Sequence, residues 1–137
     1  MDIHSQPTEQ TTAKAKHYEE IQIRHLMADY IHACRDGDLK KIKSFYTNDV
    51  VSFDMPPPLQ MVGLGEYMKS WEKWYGNQFD FPVIYDSLDL QVHVSGDVGF
   101  TFGIIHMAGT FKESGERIEN WLRHTCGLIK VREKWMI

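Results

Sequence analysis

The chain has 137 residues, of which 42% are hydrophobic and 25% charged, a composition typical of one globular domain with a core of ordinary size. Its net charge of −4 and its scattered basic residues lack the electrostatic footprint of a nucleic-acid-binding or membrane-surface protein, so neither partner is expected. Cys34 and Cys126 show no metal or redox spacing, and no apolar run could span a bilayer, so we expect a reduced, cytoplasmic protein.

The first segment is polar, contains one proline and has no periodic apolar pattern. Burial therefore cannot offset the entropy that ordering this segment would cost. We predict a flexible tail over residues 1–16 and a single domain over residues 17–137.

A long first helix is predicted from an apolar stripe with the helical period. Ile23, Met27 and Tyr30 fall within one narrow stripe when each residue turns by about 100°. Gly37 can end this helix in the left-handed conformation, and Asp38 can then cap the next helix.

A second helix is predicted over residues 39–46, where three apolar residues recur on one face. Residues 50–54 are typical of a short strand. Residues 55–60 contain three consecutive prolines, which remove backbone donors and hold the chain extended. We therefore expect a loop at the rim of the domain there.

A third helix, rich in aromatic residues, is predicted from Gly65 to about Gly76. Its stripe includes Trp71 and Trp74. One interpretation places these rings in the core, where aromatic stripes at helical spacing usually lie. The other makes Trp71 or Trp74 a wall of a ligand cavity, and both hold together in a partly hollow fold.

The remaining sequence alternates with the period of two that predicts strands. The predicted strands cover residues 88–94, 98–107, 117–131 and 135–137. Three helices followed by consecutive hairpins, with one strand between the second and third helices, indicate an α+β domain. We expect a curved antiparallel meander that wraps the long helix.

The stretch from Asp29 to Asp54 resembles a known family. A long helix carrying Tyr30, a DGDL turn, a short helix ending in an aromatic residue and Asp54 just before the prolines are similar to the nuclear-transport-factor-2-like (NTF2-like) superfamily. The resemblance is to its ketosteroid-isomerase-like and SnoaL-like members and covers roughly residues 17–137. It implies a cone-shaped fold with three N-terminal helices packed on a curved, mostly antiparallel sheet.

The resemblance also implies a site. Tyr30 falls where those isomerases carry the tyrosine that hydrogen-bonds the substrate oxygen, and Asp54 falls where they carry the proton-shuttling aspartate. It further turns alternate residues of the strands 98–107 and 117–131 towards the cavity. We therefore expect Asp54, Tyr30 and His106 as catalytic residues and Trp71, Trp74, Phe102, Ile104, Trp121 and Arg123 as substrate-binding residues.

Two of these residues have a purely structural alternative. An arginine in an apolar cavity needs an acidic partner or an anionic ligand, so Arg123 and Asp54 can also be read as an internal ion pair without chemistry. His106, at the end of an apolar face, can equally be a structural histidine. No histidine pair has the spacing of a metal site, so neither a metal nor a cofactor is expected.

The chemistry implied by the resemblance is proton transfer next to a carbonyl group. Gly127 or a neighbour stands where the isomerases carry a protonated aspartate, which departs from the steroid isomerase pattern. Three functions remain open: acid–base catalysis on a hydrophobic carbonyl compound, non-catalytic binding of a small apolar or anionic ligand, which Arg123 favours, and association through the outer sheet face.

The resemblance implies a homodimer that pairs through the convex sheet face. The period of two groups Leu122, His124, Cys126 and Leu128 on one face, and the resemblance turns that face outward, together with Leu88 or His93 of an earlier strand. Relatives similar to this chain often continue the last strand beyond the position of Ile137, with His-x-His. We therefore expect that any pocket residue which that segment provides in relatives is missing from this sequence.

Overall fold

The computed structural model describes residue 6 and residues 8–137. Its helices are α1 (Glu9–Asp36), α2 (Leu39–Ser44) and α3 (Leu64–Trp71), and α3 continues into a π-helical turn at Glu72–Gly76. Its strands are β1 (Val51–Ser52), β2 (Met61–Val62), β3 (Phe79–Ser95), β4 (Val98–Phe111), β5 (Arg117–Val131) and β6 (Lys134–Met136).

Helix α1 begins earlier than the sequence analysis predicts. Residues 1–5 and 7 of the predicted tail lie outside the described residues, but residues 9–16 are helical and exposed. The hydroxyl of Thr8 accepts the backbone N–H of Thr11 at 3.1 Å, a local cap that needs no tertiary contact. This cap and the helix-favouring residues that follow it stabilise helical structure in a segment that has no apolar stripe from which a helix could be predicted.

The junction between α1 and α2 is confirmed. Gly37 adopts a left-handed conformation with φ of 66°, and the carboxylate of Asp38 accepts the backbone N–H of Lys41 at 3.0 Å. The α+β class is also confirmed, whereas the detail of three N-terminal helices is not. Helix α2 has only six residues, and α3 follows the β1–β2 pair.

The sheet is antiparallel throughout, in the order β3-β4-β5-β6, and β1 and β2 form a separate pair. Irregular pairing of β3 with β4 occurs between Asp80 and Ile84 and between Leu88 and Gln91. Such irregularities bend a strand, and they account for the curl of the sheet around α1. The core lies between α1 and the concave inner face and includes Ile23, Met27, Tyr30, Cys34, Ile105, Met107, Cys126 and Leu128.

The two faces of the sheet are the reverse of those expected. Phe100, Phe102 and Ile104 are 46%, 43% and 39% exposed, whereas their neighbours Thr101 and Ile105 are buried. Even-numbered residues of β4 therefore lie on the outer face.

The register carries this reversal into β5. Residues 102, 104 and 106 pair with residues 125, 123 and 121, so Trp121 and Arg123 share the outer face with them. The inner face of β5 carries the residues that the sequence analysis assigned to a dimer interface, namely Leu122, His124, Cys126 and Leu128. Both faces carry apolar residues, so alternation alone could not identify the buried one.

A polar cluster joins α1 to the far end of the sheet. The carboxylate of Glu19 accepts hydrogen bonds from Lys130 Nζ and from Trp135 Nε1, each at 2.6 Å. The hydrogen bond from Lys130 holds the pKa of the Glu19 carboxyl below its usual value. No helix within residues 8–137 is both long and apolar enough to cross a lipid bilayer.

Candidate functional site

A cavity of about 640 Å³ opens between α3, the β1–β2 loop and β5. Its volume is within the range of small-molecule sites. Eight aromatic residues line it, namely Tyr30, Tyr67, Trp71, Trp74, Tyr75, Phe79, Tyr85 and Trp121. The polar side chains among its lining residues are Asp54, Ser70, Asn120, Arg123 and His124.

Helix α3 provides one wall, and both interpretations of its aromatic stripe hold. Trp71 lies edge-on to Tyr30, Tyr67 and Tyr75, with ring centroids 6.4, 6.1 and 5.2 Å away, so it is part of the core. It also lines the cavity, together with Trp74, which is 42% exposed. The predicted helical spacing therefore located this wall correctly.

Tyr30 lines the cavity, but its hydroxyl is already engaged. That hydroxyl lies 2.8 Å from the hydroxyl of Tyr46, and the Tyr30 side chain is only 1% exposed. Burial raises the pKa of Tyr30 well above its usual value. Either hydroxyl can be the donor of this bond, so the Tyr30 hydroxyl can donate to a substrate oxygen only when Tyr46 is the donor to it.

Asp54 lies at the mouth of the cavity and is exposed. Its carboxylate accepts the backbone N–H of Met55 at 2.8 Å and the hydroxyl of Tyr67 at 3.2 Å. Burial raises the pKa of Tyr67 to about 12, and the charge of Asp54 adds to this shift. Tyr67 therefore stays neutral, and its hydroxyl donates a hydrogen bond to Asp54.

The internal ion pair proposed as a structural alternative is not formed. No salt bridge within residues 8–137 joins Asp54 to Arg123. Arg123 pairs with Ile104 and belongs to the outer face of β5. The two side chains therefore do not form an ion pair, although both border the cavity.

Trp121 and Arg123 nevertheless border the cavity, because the cavity opens along the edge of β5. The lining includes every residue from 120 to 124, which cannot all point in one direction along a strand. Strand β6 covers this side of β5 only at residues 129–131, so the edge beside residues 120–124 is where the cavity opens.

His124 is the functional candidate that the sequence analysis missed. It lies on the inner face of β5, and its ring stacks on Tyr30 with centroids 5.7 Å apart. Burial lowers the pKa of His124, and the charge of Asp54 partly opposes that shift. His124 shares one face of β5 with the buried residues Cys126 and Leu128. Assigning that face, rather than the face of Arg123, to the cavity would have identified His124 from the sequence.

The remaining predicted site residues lie away from the cavity. Phe102 and Ile104 are on the outer face, as is His106. His106 Nε2 lies 2.7 Å from the carboxylate of Glu119, and its ring stacks on Trp121 at 4.8 Å. His106 is therefore linked to the cavity only through Trp121, which borders it. Across residue 6 and residues 8–137, no group of three potential metal-ligating side chains converges.

Comparison with protein families gives a match to the SnoaL-like domain over residues 23–137. The chain belongs to the SnoaL-like domain family. The match begins inside α1 and includes α2, α3 and the whole sheet, so the cavity lies within the family domain. The sequence matches no curated protein.

Several solved structures share the fold of this SnoaL-like protein. An NTF2-like protein of unknown function from Pseudomonas putida KT2440 is 27% identical with a TM-score of 0.77, over 88% of this chain and 82% of the other. A ketosteroid isomerase-like protein from Erwinia carotovora atroseptica is 21% identical with a TM-score of 0.74, over 86% and 89%. The association domain of C. elegans CaMKII is 14% identical with a TM-score of 0.69, over 90% and 93%.

Proposed function

We propose that the cavity of this SnoaL-like protein binds a small hydrophobic carbonyl compound and exchanges protons with it through Asp54 and His124. The observation that carries the proposal is that one cavity rich in aromatic rings holds a carboxylate and an imidazole, and that the carboxylate charge affects the pKa of the imidazole. The likeness to an isomerase-like structure agrees with such chemistry but shows the fold alone.

The two side chains suit complementary roles. Asp54 is exposed at the cavity mouth and can take a proton from the carbon next to a carbonyl group. His124 stays neutral at physiological pH because burial lowers its pKa, and a neutral imidazole can either donate or accept a proton. Asn120, which also lines the cavity, offers amide N–H donors for a developing oxyanion.

Proton transfer can be tested before a natural substrate is identified. A panel of cyclic and aromatic ketones is incubated with the protein in heavy water, and NMR follows deuterium entering the position next to the carbonyl group. We expect the parent protein to accelerate exchange for part of the panel, and Asp54→Asn or His124→Gln to lose most of the acceleration. His106→Gln, on the outer face, is the matched control and should exchange at the parental rate. Unchanged exchange in the first two variants would refute the assigned roles.

Non-catalytic binding is the second candidate, and one arrangement of the Tyr30–Tyr46 hydrogen bond favours it. When Tyr30 donates to Tyr46, the cavity lacks one donor that acid–base chemistry at a carbonyl group uses. The two candidates differ in one readout. Ketones that raise the melting temperature of the parent protein without any deuterium exchange would establish binding and reject catalysis.

We further propose a homodimer through the outer face, with contact residues that differ from those predicted. The rings of His93, Phe100 and Phe102 form a stacked ladder there, with centroids 4.9 to 6.3 Å apart. Trp121, on the same face, is 63% exposed. Aromatic side chains present roughly 150–250 Å² each. This half-exposed group therefore supplies a large part of the roughly 800 Å² per partner that a standard interface buries.

Light scattering tests the dimer. The parent should have about twice the chain mass of 16.0 kDa, and Phe102→Lys should shift the population to the monomer. Val62→Lys changes an equally apolar exposed residue on β2 and should leave the dimer intact. A monomeric parent at micromolar concentration would reject the homodimer without bearing on the cavity.

A further inference from the structure

We propose that the ligand of this cavity is an organic ammonium, whose positive charge is held by Asp54 against the aromatic wall of α3. The inference rests on the proposed small-molecule site and adds the chemical class of its ligand. The proposed ligand charge is the opposite of the one expected from the sequence. The sequence analysis placed Arg123 inside the cavity and indicated an apolar or anionic ligand.

The first support is the charge balance of the cavity. Both hydrogen-bond partners of Asp54 are neutral, the Tyr67 hydroxyl and the Met55 backbone N–H. Within residues 8–137 no lysine, arginine or histidine forms a salt bridge with it. A neutral ligand that covers this carboxylate displaces water without supplying a counter-ion, so it should bind more weakly than a cation of the same shape. A cationic ligand replaces the lost hydration with an ion pair.

The second support is the chemistry of the walls. The faces of aromatic rings are electron-rich and attract cations placed within about 6 Å of the ring centroid. Trp71, Trp74 and Tyr75 line the cavity, and the ring centroid of Trp71 lies 6.1 Å from that of Tyr67, the hydrogen-bond donor to Asp54. Lys73 already places its Nζ 5.0 Å from the ring centroid of Trp74, so this ring holds an ammonium group from the protein itself. A carboxylate beside several rings is the combination that recognises alkylated ammonium groups.

The third support is that the other basic side chains of the cavity do not neutralise Asp54. Burial lowers the pKa of His124, which keeps its imidazole uncharged near neutral pH. Arg123 borders the cavity, but its register places it on the outer face opposite Ile104. Asp54 therefore has no basic partner among residues 8–137, although Arg123 brings a positive charge to the edge of the same cavity.

The test uses three probes of one shape and different charge: 4-(trimethylammonio)phenol, 4-tert-butylphenol and 4-hydroxybenzenesulfonate. The first two differ only in nitrogen against carbon at the branching atom. Dissociation constants are measured from the indole N–H signals of Trp71 and Trp74 in two-dimensional NMR spectra of the full chain. We expect the ammonium probe to bind at least about tenfold more tightly than the tert-butyl probe, and the sulfonate to bind most weakly.

Variants assign the preference to one side chain. Asp54→Asn should bring the ammonium and tert-butyl probes to within about twofold of each other, while Asp54→Glu should keep the preference. Asp86→Asn, which removes an exposed carboxylate that does not line the cavity, is the matched control and should keep it as well.

The outcomes separate this inference from the proposed function. Equal or tighter binding of the tert-butyl or sulfonate probe by the parent overturns the ammonium class but leaves a small-molecule site in place. A preference for the ammonium probe that survives in Asp54→Asn overturns the role of Asp54. If none of the probes shifts the two indole signals while ketone exchange is present, the ammonium class is wrong; if exchange is absent as well, both proposals fail.

Discussion

Replacing Asp54 with asparagine should change the stability of the protein very little. Asparagine keeps one side-chain oxygen acceptor, so it can retain either the 2.8 Å bond from the Met55 N–H or the 3.2 Å bond from the Tyr67 hydroxyl. The side chain is exposed, so water replaces the partner that is lost. We expect a loss of at most about 1 kcal/mol in the free energy of unfolding, the scale of an ordinary hydrogen bond.

Urea unfolding followed by circular dichroism measures this quantity, and a thermal scan should show a shift of roughly 2 to 5 °C at most. Asp86→Asn provides the control, because Asp86 forms a genuine exposed ion pair with Arg35 at 3.2 Å and exposed pairs contribute about 0 to 1 kcal/mol. If Asp54→Asn instead loses about 3 to 5 kcal/mol, as the removal of one partner from a buried ion pair does, Asp54 has a structural partner and the cavity argument fails.

Glu19→Gln should destabilise the protein at neutral pH but not in acid. The folded-state pKa of Glu19 lies below 4.5, and the stabilisation that its carboxylate provides is lost as the pH falls through that pKa. Urea midpoints at pH 7 and in acid measure this difference. Because the pKa of His124 is lower in the folded state, the unfolded state takes up a proton at a higher pH than the folded state does. The free energy of unfolding should therefore fall as the pH drops below 6.5. In melting scans, His124→Gln should flatten this dependence. Gly37→Ala should cost more than Gly115→Ala in urea unfolding. Both positions have positive φ, worth about 1–2 kcal/mol, but only at Gly37 would the new Cβ come 2.6 Å from the ring of Phe81.

Local signals made the helical half of the fold predictable. Gly37 and Asp38 act through backbone conformation and a hydrogen bond three residues away, so their residue types suffice to locate the junction. The aromatic stripe of α3 was recognisable for the same reason. Its interior neighbours, such as Trp71 and Tyr67, lie four residues apart and meet on one helix face.

The orientation of the strands could not be predicted in this way, because it depends on residues far apart in the chain. Strand β4 carries Phe100, Phe102 and Ile104 on one face and Thr101 and Ile105 on the other. The buried face contains a threonine, while the exposed face is the more hydrophobic of the two. Only the packing of α1 against the sheet distinguishes them, and no short-range pattern records that contact.

This reversal decides what the cavity can bind. A shift of one residue in β5 exchanges Arg123 for His124 on the inner face, and so replaces a permanent cation with an imidazole whose pKa is lowered by burial. With the arginine inside, Asp54 would have been neutralised and held in an ion pair. With the histidine inside, the carboxylate keeps its charge and has only neutral hydrogen-bond donors, Tyr67 and Met55. The preference for a cationic ligand and the small stability effect of Asp54→Asn therefore share one cause, and a measurement that contradicts either one calls the orientation of β5 into question.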